Sequence, residues 1–504
     1  MLRQKGWRMP IGRAAGLRAI AILMGFGLAS MLAGCLSTDR PGLAVDIPPA
    51  YRAVRGVPLG PPPSLDWWRG FQSPELTGLI EQAQTANYDI AAAIARIEQA
   101  DAASKVVGAP LFPLVNFNGS ATRSRSSQAG GSGAILGGGG GSERSVYSMA
   151  LNASYEIDFW GKNRANSRAA QESAISIRFS RDVVTLSTVV SVATAYFQVL
   201  TAQERLKTAR ANLAAAQRVL NLINQRFAAG TASQLDVAQQ ESLVATQRAS
   251  IPPLDQALRQ NIAILAGLVG RAPANLTVHG GSLYALGLPR VTPGLPSDLL
   301  LQRPDIRAAE ANLASADASV EAARAAFFPS ISLTGDYGIT STALRSLFTP
   351  QAIFFSMAAN VAQPVFDGFR LEGLFEQAKG RRDEFLATYR MTVVQSFGDV
   401  ETALIAIQDN SERERLQREV VSASRRAFDI AETRLREGTV DLVTVLQTQQ
   451  TLFQAEDTLA QVRLLRLQAI LSLYQALGGG WLPPVPKTAA ESDRVRRTRN
   501  MDRQ

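Results

Sequence analysis

DIRAAEANLASADASVEAARAAFFP, residues 305–329, repeats the landmarks of DIAAAIARIEQADAASKVVGAPLFP, residues 89–113, at a constant spacing of 216 residues. Asp89-Ile90 matches Asp305-Ile306, Ala100-Asp101-Ala102 matches Ala316-Asp317-Ala318, and Phe112-Pro113 matches Phe328-Pro329. Further on, Gly230-Thr231 matches Gly438-Thr439 and Gly270 matches Gly478, both at a spacing of 208. The chain is a duplication, with a few extra residues in the first copy, placed most simply in the glycine run near residue 137. Each copy reads as a lead-in helix, a pair of strands and a very long helical hairpin. Duplication at that scale suits the wall of a tube better than the pocket of an enzyme.

The lead-in helices are expected from Pro74 to about Val107 and from Pro304 to about Phe327, each with proline well placed in its first turn. After each Phe-Pro pair the spacing becomes a strict alternation. Val115, Phe117 and Ala121 alternate with Asn116, Asn118, Ser120 and Thr122, and Tyr147 through Ile157 alternate with Ser148 through Asp158. In the second copy Ile331, Leu333, Tyr337 and Ile339 alternate with Ser332, Thr334, Asp336 and Thr340, and Phe355, Met357, Ala359 and Val361 form the return. Period two with one apolar face predicts strands at about 113–126, 146–158, 329–341 and 353–363. Aromatics on one face and small polar residues on the other is the pattern of lipid-facing and lumen-facing positions in an outer-membrane barrel. The stretch Gly130 to Ser142 lacks the Lys-Ser/Thr of a phosphate loop and reads as an external loop.

From Lys162 through Ser250 there is no proline and one glycine, Gly230, among Ala, Gln, Leu, Arg and Val. Such a composition predicts a helical hairpin over about 162–268, whose first arm is on the order of 100 Å long at about 1.5 Å per residue. A second hairpin is expected over about 370–477. In the first turn Gly230 suits the left-handed residue that closes a helix, and Ser233 with Asp236 makes a capping-box pattern. In the second, Gly438 and Asp441 take the same two roles.

The net charge of +9 is concentrated at the ends. Arg3, Lys5, Arg8, Arg13 and Arg18 contribute +5, and the segment after Pro486 contributes +3, leaving the body near neutrality and with no basis for nucleic-acid binding. Residues 1–34 read as a secretory signal, and 35–73, rich in proline, as a tether ending on Trp67-Trp68. The first repeat is then 74–290, the second 291–482, and 483–504 a charged tail without apolar periodicity. Leu32-Ala33-Gly34-Cys35 resembles a bacterial lipobox, and Cys35 is the only cysteine in the chain. That resemblance implies a covalent lipid on Cys35, and Leu36 after it favours the outer membrane.

Four strands are too few to close a membrane barrel, since single-chain barrels start at about eight, and lipid does not tolerate open edges. Chains must combine. The expected fold is an α+β membrane protein with a duplicated strand pair and long helical hairpin, assembled as a homotrimer. It would form a 12-stranded outer-membrane β-barrel continued by a periplasmic α-helical barrel.

Gln302-Arg303-Pro304-Asp305-Ile306-Arg307-Ala308-Ala309-Glu310, Ala325-Ala326-Phe327-Phe328-Pro329-Ser330-Ile331-Ser332-Leu333 and Ala476-Leu477-Gly478-Gly479-Gly480-Trp481 resemble the TolC-like outer membrane factors of bacterial tripartite efflux systems, in their NodT-type lipoprotein branch. The resemblance runs from Trp67 to Trp481. It implies a passive exit duct for small molecules, fed by an inner-membrane pump of the RND type through a periplasmic adaptor. It also implies that Arg226, Gly230, Thr231, Ser233, Gly438, Thr439 and Asp441 lie at tips that contact the adaptor, and that Asp236, Gln447 and Gln450 lie at the periplasmic entrance. Relatives often carry an acidic residue on the second tip's outgoing helix, where this chain has Gln447 and Gln450. The closed entrance is therefore expected to rest on hydrogen bonds and packing, with opening that depends little on ionic strength.

Enzyme readings fare poorly. His279 is the only histidine, so a histidine-based triad or a multi-histidine metal site is unavailable within one chain, and no cofactor is expected beyond the lipid. The alternatives are a duct for secreted proteins or signal molecules and, in a different class, a lipid-anchored periplasmic scaffold. A scaffold would need neither the lipid-facing alternation nor the repeated strand pairs.

Overall fold

The computed structural model describes residues 45–52, 63–125 and 143–481. The signal segment, Cys35, the glycine run and the C-terminal tail lie outside the described residues. In chain order the elements are α1 (Pro74–Ala86), α2 (Tyr88–Gly108), β1 (Leu114–Arg125), β2 (Glu143–Ile157), α3 (Lys162–Ala228) and α4 (Gln234–Leu268). They continue with the short α5 (Leu299–Gln302), α6 (Pro304–Ala325), β3 (Ser330–Ser341), β4 (Ile353–Ala362), α7 (Arg370–Glu437) and α8 (Leu442–Ala476).

The two long helices, α3 with 67 residues and α7 with 68, run unbroken. Their return helices α4 and α8 have 35 residues each and so retrace only about half the path at roughly 1.5 Å per residue. The lead-in helices supply the remainder. Beside α3, α2 meets the end of α4, where Asn87 caps α2 by accepting from the backbone N–H of Asp89 and Ile90 and donates from Nδ2 to the Leu268 carbonyl at 2.8 Å. Beside α7, α6 meets the end of α8 through Arg303, which donates to the Ala476 carbonyl at 3.1 Å. The expected single helix from Pro74 to Val107 is corrected accordingly. It breaks at Asn87, whose ψ of 131° is extended, because the side chain is needed to close the joint. Tyr88, not Pro74, is the structural counterpart of Pro304.

A core at mid-height joins both repeats. The middle of α3, from Val189 to Leu200, packs with Trp67, Trp68, Phe71, Leu265, Leu276, Leu283, Leu467 and Tyr474. Trp67 stacks on Tyr474 at 4.4 Å, so the paired tryptophans are an anchor for the chain entering the body. By length and composition α3 holds an 18-residue window apolar enough to cross a membrane, and 56% of that window is buried inside the protein. A second cluster, Val219, Ile223, Phe428, Leu435, Leu442, Val445 and Phe453, binds the far ends of α3, α7 and α8 together.

The sheet is antiparallel in the order β1-β2-β3-β4, leaving β1 and β4 as edges among the described strands. Among the described residues no helix covers either face: β1 is exposed along its whole length and β4 nearly so. The spacing changes from 216 at the start of β1 to 208 in α3, which places the extra residues of the first copy in its strand hairpin.

Candidate functional site

Strand register decides what the sheet can do. Phe117 lies opposite Leu151, which lies opposite Tyr337, which lies opposite Phe355; the rows Val115, Ala153, Gly335, Met357 and Tyr155, Leu333, Ala359 continue the same face. Phe117, Tyr337, Phe355, Met357 and Val361 are all at least 60% exposed, an apolar surface that water would not leave uncovered and that lipid satisfies. The other face carries the row Asn116, Asn152, Asp336, Ser356. Its side chains join, with Asn118 Nδ2 donating to Asn152 Oδ1 at 2.6 Å, Asn152 Nδ2 to Asp336 Oδ1 at 2.5 Å, and Ser356 Oγ to Asp336 Oδ2 at 2.7 Å. Where strands pass into helices, Trp160 stacks on Phe328 at 4.6 Å and donates to the Pro329 carbonyl, with Phe159, Phe366 and Phe369 exposed nearby. Aromatics at that level mark a membrane–water boundary.

At the opposite end each hairpin reverses at a glycine. Gly230 (φ 73°) and Gly438 (φ 77°) take the left-handed conformation that ends α3 and α7. Thr231 and Thr439 then donate backbone N–H bonds to Arg226 and Arg434 at 2.8 and 2.9 Å. Ser233 and Asp236 form a full capping box, which occupies the Asp236 carboxylate. Asp441 accepts from the Thr444 backbone N–H at 3.0 Å, and bonds from Thr444 hold its carboxyl below the usual range. Gly230, Thr231, Ser233, Gly438, Thr439 and Asp441 are exposed on these tips. Arg226 differs from them. Its guanidinium is partly buried and donates to the Leu435 carbonyl, so the first tip caps the last turn of α7 and the two tips form one unit.

Gln447 and Gln450 are both exposed on α8. Gln450 lines a groove between the hairpins with Asn212, Gln247, Phe453 and an ion pair the sequence did not reveal, Arg205 with Asp457. Arg205 Nε and Nη2 grip the Asp457 carboxylate at 2.6 and 3.1 Å, from α3 across to α8. This charged pair ties the two hairpins of a protomer together beside Gln450. A pair this exposed is worth about 0.5–1 kcal/mol after solvent screening. In planar bilayers Asp457→Asn is expected to raise open probability about two- to fivefold at low salt and to lose most of that difference at about 1 M, where charges are screened within ~3 Å. Equal open probability at both salt concentrations would remove the pair from the gate.

A sheet with one lipid-facing and one hydrated face, continued by a cylinder of long helices, defines an outer-membrane channel that extends into the periplasm. The chain belongs to the outer membrane efflux protein family, whose model matches residues 79–271 and 295–479, once for each repeat. It is 38% identical to the pyoverdine export outer membrane protein OpmQ of Pseudomonas aeruginosa over 454 residues, covering 90% of this chain and 95% of that one. It is 33% identical to the antibiotic efflux pump outer membrane protein ArpC of Pseudomonas putida over 90% of this chain and 94% of that one. Among solved structures it resembles the outer-membrane channel OprN, with a TM-score of 0.82, 28% identity and coverage of 89% of this chain and all of that one. The open state of the MtrE outer membrane channel of Neisseria gonorrhoeae matches with a TM-score of 0.76 and 27% identity over 88% of this chain and 97% of that one. The protein is an outer-membrane channel of a tripartite efflux system, and its relatives are transport proteins.

Proposed function

We propose that three copies of this chain close their sheets into one 12-stranded barrel and their helices into one tube. Through it would pass small molecules delivered by an inner-membrane pump of the RND type and a periplasmic adaptor. The observation that carries the reading is the four-stranded sheet with two bare edges and one continuous apolar face. Unpaired backbone groups facing lipid cost several kcal/mol each, and closure against further copies removes both edges at once. Apart from Asp336 at mid-strand, the hydrated face between the strand ends is lined mainly by Asn, Ser, Thr and small residues, which suit passive release. OpmQ is by its name a pyoverdine export protein, which supports an export role for this chain.

Exposed Gly230, Thr231, Ser233, Gly438, Thr439 and Asp441 then form the adaptor's docking rim, held in register by Arg226, with Asp236, Gln447 and Gln450 at the entrance. A lipid on Cys35 anchors each chain beside its barrel. A photo-crosslinking residue at Thr231 or Thr439 is expected to capture the adaptor in cells expressing the whole system, and one at Phe355 on the apolar face is not. Capture from Phe355 alone would refute the assignment of the tips.

A further inference from the structure

We propose that Asp336 is the charge filter of the barrel lumen: one carboxylate from each chain, set in a hydrogen-bonded polar row, makes the duct prefer cations and gives multivalent cations a place to block it. The inference rests on the trimeric barrel reading above.

Alternation and register place the residue. Tyr337 and Leu333 face lipid, so Asp336 faces the lumen at the middle of β3. Among the described strand residues on that face, Arg144 stands at the extracellular end of β2 and Glu156 at its periplasmic end, where Lys162 pairs with it at 2.6 Å. Asp336 is the one charge between them. The adjacent rows hold Asn118, Ala150, Gly338 and Phe354 on one side and Leu114, Ser154, Thr334 and Ala358 on the other, all neutral, so no charge in them cancels its field.

The row also aims at Asp336. Asn118 donates to Asn152, Asn152 donates to one carboxylate oxygen, and Ser356 donates to the other. Every donor in this chain points toward the acid. The bonds fix the carboxylate in position, while each oxygen keeps a lone pair for a passing cation. Twelve strands about 4.8 Å apart and tilted by about 40° close a wall of roughly 12 Å radius. At 0.1 M salt the Debye length is about 10 Å, so three carboxylates on that wall act across most of the lumen. Rings of acidic side chains are a general means of selecting cations in pores.

The test is made on the full-length, detergent-purified protein in planar bilayers, reading reversal potential in a KCl gradient near 0.1 M. Hexamminecobalt(III) is added on the barrel side, so that it reaches the row without crossing the periplasmic entrance. The wild type is expected to be cation-preferring and blocked in a voltage-dependent way. Asp336→Asn should lower the cation-to-anion permeability ratio about sevenfold, because a potential of about kT enriches cations and depletes anions by a factor of about e each, and abolish the block. The double variant D336S/S356D keeps one carboxylate in the same row one strand away, and should keep both properties. It also serves should D336N fail to assemble. A trimeric D336N pore with unchanged ratio and block would overturn the filter, as would their loss in the double variant. A wild type that forms no trimeric pore would instead defeat the barrel reading itself.

Discussion

Gly478→Ala is expected to prevent assembly of the channel, with little or no heat-resistant oligomer recovered from membranes. The new Cβ would stand 2.1 Å from the Gln302 carbonyl oxygen, and the residue holds φ at 78°, which L side chains rarely adopt. That carbonyl cannot retreat, because Arg303 beside it is fixed by Asp305 at 2.7 and 3.0 Å, by Asp399 at 3.0 Å and by the Ala476 carbonyl at 3.1 Å. Strain in the left-handed region and overpacking together cost roughly 3–5 kcal/mol per chain, a large part of the stability of an ordinary domain. Gly270→Ala meets the same obstacle at 2.3 Å from the Ala86 carbonyl and should behave alike. Gly230→Ala is the control, since it has a φ of 73° but nothing within 4 Å, and should cost only about 1 kcal/mol. Wild-type yield and melting temperature for G478A would show that the end-to-end joint of α6 on α8 does not organise the tube.

Glu414→Ala should be as damaging through electrostatics. Glu414 is fully buried on α7 and is the shared acceptor of Arg418, Arg463 and Arg466, the last at 2.9 Å. Arg463 is itself 3% exposed and donates from Nη2 to the Leu286 carbonyl at 2.9 Å, tying the linker between the repeats to α8. Burial pulls the Arg463 pKa below its usual value, with Glu414 opposing that fall. Without the carboxylate, a buried guanidinium is left uncompensated, and breaking such a pair costs about 3–5 kcal/mol. Thermal unfolding followed by helical circular dichroism measures the loss. The double variant E414L/R463M removes both charges and should recover a large part of it. A double variant no more stable than E414A would mean that packing, and not the stranded charge, is responsible.

The parts legible in the sequence were those set by local periodicity. The strands announced themselves because lipid outside and water inside impose the same period-two pattern on all four. The arms of the hairpins could be read because neither proline nor glycine interrupts Lys162 to Ala228. Gly230 and Gly438 were legible as helix stops for the same local reason. What escaped depends on residues far apart in the chain. Asn87 looks like an ordinary helix residue until Leu268, 181 positions away, offers the carbonyl that its amide caps. Sequence alone sets Arg226 among the tip residues, and only the meeting of two hairpins turns it toward Leu435. Arg205 and Asp457 are 252 positions apart, and Glu414 needs three arginines from two helices. Apart from Arg418, four residues after Glu414 on the same helix, none of these partners leaves a periodic trace. The alternation did place Asp336 on the polar face, but only cross-strand register isolates it as the single charge in mid-barrel.

The most direct test of the account is the mass of the purified protein in detergent, measured together with its single-channel conductance in planar bilayers. Three chains per particle and discrete conductance steps are predicted, because a four-stranded sheet with bare edges can enter lipid only by closing with further copies. A monomer that inserts without conducting would contradict the shared barrel and return the long hairpins to the role of a lipid-anchored periplasmic scaffold.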